Sequence, residues 1–170
     1  MTRKLRYTAL SKGMLTFGMA IGLFLSSGIA AAVGQIAAVT NDTVIETGEE
    51  LGFIVTLNGD GRYDVYVGIT GGAFGTSFVA FDTNGTLLPW DPAGAPPKLM
   101  DNADLATLSI QERIIPLLPR MPLDGYAGDY FIYAALSTPG QFLQELQAGT
   151  LILSDPLDKP FTITVKEDAQ

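Results

Sequence analysis

The chain of 170 residues carries 10 Lys and Arg against 18 Asp and Glu, a formal net charge of −8, and contains neither histidine nor cysteine. Its acidity excludes nucleic acid and anionic lipid as electrostatic partners. The two missing residue types exclude disulfides, thiol chemistry, the usual general base and transition-metal centres.

The first twelve residues, MTRKLRYTALSK, hold Arg3, Lys4, Arg6 and Lys12, and the stretch from Gly13 to Val33 holds no charge. A basic head, an apolar run, and the small residues Ala30 and Ala32 around Ala31 form an N-terminal signal helix, a secretory signal peptide over 1–32 cleaved after Ala32. Cleavage leaves six basic against eighteen acidic side chains, a net charge of −12, on an exported chain that is periplasmic, cell-surface or secreted. The rival reading is an uncleaved anchor, and only then does the chain meet a membrane.

Residues 33–45 read as a linker or first strand, 46–166 as one β-sandwich domain and 167–170 as a tail. In ELGFIVTLNGDG, Leu51, Phe53, Val55 and Leu57 alternate with Gly52, Ile54, Thr56 and Asn58, which predicts a strand with one wholly apolar face. GDG at 59–61 turns the chain. RYDVYVGIT then resumes the two-residue period, with Tyr63, Val65, Val67 and Ile69 on one side and Asp64, Tyr66 and Gly68 on the other. Asn58, Asp60 and Asp64 are hard oxygen donors around this turn and form a candidate Ca²⁺ set, with Asp101, Asn102 and Asp104 a second. An ordinary Asn/Asp-Gly turn between strands explains the first run completely and is preferred, and a solvated loop with Asx-turns is the ordinary reading of the second.

A third strand runs from Phe78 to Asp82, and Asn84-Gly85 predicts a type I′ turn returning along Thr86 to Leu88. PWDPAGAPPKLMDNAD, 89–104, is rich in proline and reads as a long surface loop. It carries Trp90, the chain's single tryptophan, either a ligand-stacking aromatic or a lid folded over an open end of the core. Extended structure follows from Arg113 to Leu118, where Pro116 and Pro119 oppose a helix.

In MPLDGYAGDYFIYAAL, Gly128 and Tyr130 precede an apolar alternation and have the form of a tyrosine corner, leaving Tyr126 free for exposure. The strand Tyr130–Leu136 has two apolar faces, so something must cover its second one. STPGQFLQELQAG predicts a single short helix, with Thr138 as N-cap, Pro139 at the first position, Gln141 completing a capping box, and Gly149 as the stop. TLIL and PFTITVKE supply closing strands. The pattern predicts an all-β fold, an antiparallel sandwich of about seven strands with one helix.

The succession of FIVTLNGDGRYDVYVGI, a Pro-rich stretch with an aromatic, LPRMPLDGYAGDY, GDYFIYAAL and PFTITV, from about Glu46 to Val165, resembles a recurrent immunoglobulin-like module of exported bacterial proteins. The resemblance implies an immunoglobulin-like sandwich and an exported address, and it brings no activity with it.

No motif marks an enzyme. Lys98, Lys159 and Lys166 have no nucleophile signature around them, and no two carboxylates are marked as facing one another. The expected function is therefore a non-enzymatic binding module, or a structural part of a cell-surface or periplasmic assembly with a protein partner. Two other readings stand beside it: a small-ligand or carbohydrate receptor using Trp90, Tyr66 and Tyr126, and a Ca²⁺-stabilised module.

Overall fold

A two-residue period governs most of the computed structural model, which describes residues 33–46, 48–122 and 125–166. Residues 1–32, expected to be a signal peptide, and the tail 167–170 lie outside the described residues. In chain order the strands are β1 (Gln35–Thr40), β2 (Val44–Ile45), β3 (Glu50–Asn58), β4 (Arg62–Gly71), β5 (Phe78–Phe81) and β6 (Leu87–Trp90). They continue with β7 (Met100–Asp104), β8 (Ile114–Pro122), β9 (Gly128–Ser137), β10 (Ile152–Leu153) and β11 (Phe161–Val165), and the helix α1 (Phe142–Ala148) lies between β9 and β10.

Two sheets result, and the described residues are all-β apart from α1 and a 3-10 turn at Gly72–Phe74. The smaller has the order β1-β3-β8. The larger has the order β2-β11-β9-β4-β5-β6, with β10 also on β9 and β7 also on β4. The alternation seen in the sequence sets the faces: Leu51, Phe53, Val55 and Leu57 of β3 are all buried, and they share one core with Val65, Val67 and Ile69 of β4 and Ile132 and Leu136 of β9. Each large apolar side chain taken fully out of water in this way contributes roughly 1.5–3 kcal/mol.

Several expectations need correction. Eleven strands are present among the described residues rather than about seven, because short pieces such as β2, β7 and β10 pair where the sequence shows only loops. The larger sheet is mixed rather than purely antiparallel, since β2 runs parallel to β11, with Val44 opposite Thr164 and Ile45 opposite Val165. Residues 33–45, expected as a linker or first strand, hold two strands, β1 in the smaller sheet and β2 in the larger. Both ends of the 89–104 stretch are strands rather than loop. Pro89 is tolerated opposite Val79 because β6 is an edge strand, where a missing N–H leaves no ladder bond unmade.

The Asn84-Gly85 turn closes the β5–β6 hairpin, but not as type I′. Gly85 alone has a positive φ (73°), Gly85 N–H donates to Asp82 O, and Asp82 N–H donates to Thr86 O. This is a type I turn followed by a glycine bulge. The Asp82 carboxylate favours it by accepting from the N–H groups of Asn84 and Thr86 at 2.9 and 2.8 Å.

The helix starts later than its sequence suggests. Pro139 and Gly140 (φ 75°) occupy the middle of a turn closed by Gln141 N–H to Thr138 O, so Gln141 rather than Thr138 precedes the helix. The side chain that reaches back to the Thr138 N–H is that of Glu145, not Gln141. Gly149 ends the helix in the left-handed conformation, as a C-terminal glycine does.

At the start of β9, Tyr130 Oη donates to Tyr126 O at 2.7 Å and accepts from Ala73 N–H at 3.1 Å. Gly128 (φ 138°) allows this approach, since a Cβ there would sit 2.7 Å from Gly72 Cα.

Candidate functional site

The larger sheet has an inner face turned to the core and an outer face turned away from the smaller sheet. On the outer face β4 presents Asp64, Tyr66 and Gly68, and the β9 residues opposite them are Ser137, Ala135 and Tyr133. This is the second apolar face that the β9 sequence displays. The helix α1 and the connection from β6 to β7 cover it, but only in part.

What they leave is a cleft of about 240 Å³ whose walls include Tyr66, Phe78, Trp90, Tyr133 and Phe142. Phe142, on the buried side of α1, packs on Tyr66 with ring centroids 4.6 Å apart and meets Trp90 edge-on at 6.2 Å. Trp90 lies opposite Phe78 across the β5–β6 pair and also meets it edge-on, at 5.6 Å. Gly68 gives the cleft its depth: in the centre of β4 it supplies no side chain where its neighbours supply rings. Leu146, Leu153 and Pro96 complete an almost wholly apolar lining.

Trp90 is half-buried, and its Nε1–H donates to Gly94 O at 2.8 Å. It does not close an open end of the inter-sheet core; it stands on the opposite side of the larger sheet. Trp90 and Tyr66 therefore share a site, as grouped from the sequence. Tyr126 does not join them. It is 51% exposed and borders a separate apolar cavity of about 310 Å³ between the sheets, lined by Leu51 and Leu118 from one and Ile69, Ile132 and Ile163 from the other.

Beneath one end of the cleft lies a buried ionic node. Asp64 is fully buried, and its Oδ2 accepts from Gly140 N–H at 2.8 Å and from Tyr66 Oη at 3.2 Å. Lys98 Nζ sits 2.8 Å from the same oxygen, while Asn102 N–H donates to Oδ1 at 2.8 Å. The last bond uses a bulge: β7 slips register against β4 between Tyr63 and Val65, and Asn102 takes a positive φ of 50° there. Burial alone would raise the Asp64 pKa, but hydrogen bonds from Lys98, Gly140 and Asn102 outweigh it and hold the carboxyl at about 2. Lys98 is pushed up, first by its bond to Asp101 at 2.6 Å and then by Asp64. Burial also raises the Tyr66 phenol, and the Asp64 charge adds to that effect.

This node decides the fate of the two candidate Ca²⁺ sets. Asn58 and Asp60 lie exposed at the β3–β4 turn, whereas Asp64 is buried under the cover on the outer face of the larger sheet and already paired with Lys98. In the second set Asp101 pairs with Lys98, Asp104 pairs with Arg62 at 3.4 Å, and Asn102 uses its backbone on Asp64. Among the described residues no group of three or more acidic side chains is arranged to hold a metal ion. Asn84 and Gly85 serve the hairpin, and Gly128 and Tyr130 the corner.

Sequence reasoning missed Lys98, Phe78, Tyr133 and Phe142. The apolar pair Phe142 and Leu146, one helical turn apart, was the available signal for a helix lying on the sheet. Only the nearby Asp101 marks Lys98 locally, because its buried partner Asp64 lies on β4, far away in sequence. No family model, curated protein or solved structure matches the chain.

Proposed function

We propose that this chain is an exported, non-enzymatic module with an immunoglobulin-like β-sandwich fold, periplasmic, cell-surface or secreted, and that it acts by binding. Its binding site is the aromatic cleft on the outer face of the larger sheet. The observation that carries this reading is the convergence of Tyr66, Phe78, Trp90, Tyr133 and Phe142, from β4, β5, β6, β9 and α1, on one concave apolar surface. Such concavity, with few polar groups, is the usual form of a small-ligand site. The absence of His and Cys from the sequence keeps the reading away from catalysis.

Within binding, the lining supports a compact apolar ligand over a sugar. A sugar needs hydrogen-bonding groups around a stacking ring, and here the Trp90 N–H and the Tyr66 hydroxyl are already committed to Gly94 O and Asp64.

Because Trp90 is the single tryptophan, its emission reports directly on the cleft. Titration with a panel of short aliphatic alcohols, small aromatics and oligosaccharides is expected to give saturable changes with the apolar probes. The response should vanish in a Gly68→Val protein, whose added methyls fill the floor. A response to none of the panel, or one undiminished in Gly68→Val, refutes the cleft as the binding site.

A further inference from the structure

We infer that the cleft recognises an apolar organic cation, an alkylammonium group of the trimethylammonium type. This rests on the cleft being the binding site and goes further by assigning the ligand's charge.

Three observations lead there. The first is the lining itself. Trp90 meets both Phe78 and Phe142 at interplanar angles near a right angle, 76° and 83°, so the rings meet edge to face and not as a flat stack. Aromatic rings set at steep angles form the wall type that surrounds quaternary ammonium groups, whose diffuse positive charge is attracted to the negative ring faces.

The second is where the polar hydrogens of those rings go. Tyr66 donates its hydroxyl hydrogen to the buried Asp64 carboxylate, and Trp90 donates its indole hydrogen to the Gly94 carbonyl. Donation to an anion or a carbonyl oxygen pushes electron density back into the ring and makes its face more negative. It also turns two of the lining donors away from a bound ligand, leaving the Tyr133 hydroxyl as the remaining phenol in the walls. The rest of the lining is aromatic and aliphatic carbon.

The third is the field at the rim. The segments that bring Trp90, Leu153 and Leu157 to the cleft also carry Asp91, Asp155 and Asp158. None of these three takes part in an ion pair among the described residues. The cations on the bordering segments are Lys159, beside Asp158, and Lys98, which is already held between Asp64 and Asp101. With a formal net charge of −8 on the chain and these three carboxylates next in sequence to lining segments, the field around the cleft favours a cation over an anion. A quaternary ammonium is weakly hydrated, so entering an apolar cleft costs it far less than it would cost a primary ammonium or a metal ion.

The test compares choline with its uncharged isostere 3,3-dimethylbutan-1-ol on the full-length chain, read by Trp90 emission and by calorimetry. Choline is expected to bind at least about fivefold more tightly than the alcohol, the size of a single partly exposed cation–π contact. A Phe142→Leu protein keeps an apolar wall and loses one ring face, so the ratio of choline to alcohol affinity should shrink whatever happens to either affinity alone. Equal affinity for both probes, or a preference unchanged in Phe142→Leu, overturns the cation assignment and leaves the cleft as an apolar site. Saturable binding of neither probe overturns both readings together.

Discussion

Lys98 Nζ lies 2.8 Å from Asp64 Oδ2, and this one contact ties the proline-rich connection between β6 and β7 to the middle of β4. The two ends of the pair are not equivalent. Lys98 keeps a third of its side chain in water and has Asp101 as a second partner, whereas Asp64 is fully buried and serves two backbone N–H groups and the Tyr66 hydroxyl.

The asymmetry predicts unequal mutational effects. Asp64→Ala strands those donors in a dry site and should destabilise the fold by about 3–4 kcal/mol. Lys98→Met leaves Asp64 three protein donors and should cost about 1–2 kcal/mol. Urea unfolding midpoints of the two proteins against wild type measure both, and the order of the two values is the finding to check.

Acid sensitivity follows from the same carboxylate. Its folded pKa of about 2 lies below the ordinary 3.8, so the native state binds this proton less readily than the unfolded chain does. The stabilisation is therefore complete above about pH 5 and disappears as pH falls through 4 toward 2, amounting to about 2 kcal/mol. Asp82, lowered by backbone donation from Thr86, and Glu112, lowered by Ser109, act in the same direction. The difference between wild type and Asp64→Asn isolates the buried group: the gap in unfolding free energy should be widest at neutral pH and narrow between pH 4 and 2.

Tyr130→Phe removes a hydroxyl that bridges Tyr126 O and Ala73 N–H while leaving the ring packed. A loss of about 1–2 kcal/mol is expected, seen as a Tm lower by roughly 3–6 °C. Trp90 emission should not change, because Trp90 sits on the other face of the larger sheet.

Gly68→Ala should separate stability from binding. The backbone there is ordinary strand, and an added Cβ meets its nearest neighbours, Val79 O and Trp90 Cζ3, at 3.5 and 4.0 Å. Stability is expected to be unchanged or higher by up to about 1 kcal/mol, since glycine in a strand interior is a weak choice. Affinity for apolar probes should fall because the methyl occupies the floor of the cleft. Thermal unfolding and Trp90 titration of the same preparation give both answers.

Much of the core was visible in the sequence because a strand of period two declares its buried face. Leu51, Phe53, Val55 and Leu57 could be assigned before any coordinates, as could the two apolar faces of β9. The cleft was only half visible. Trp90 and Tyr66 announce themselves as rare, large residues, but the cover over β9 depends on where α1 lands, and that is decided by Gly140 donating to an aspartate 76 residues away. The same distance problem hid Lys98. The strands at either end of the proline-rich stretch were missed for another reason: edge position forgives proline, and edge position is a property of the sheet rather than of the segment. The Asn84-Gly85 turn type went astray because the Asp82 side chain, not the Asn-Gly dipeptide, selects the geometry.

The parallel pairing of β2 with β11 has a kinetic consequence. Lys166 and Glu46, joined by an ion pair beside those strands, are 120 residues apart in the chain, so the larger sheet cannot acquire its β2 edge until β11 has been made. A chain emerging residue by residue therefore holds β2 without a partner until Phe161–Val165 emerge. Folding then waits on the slow search for distant strand partners, and it should run on the timescale of milliseconds or longer that such non-local topologies share.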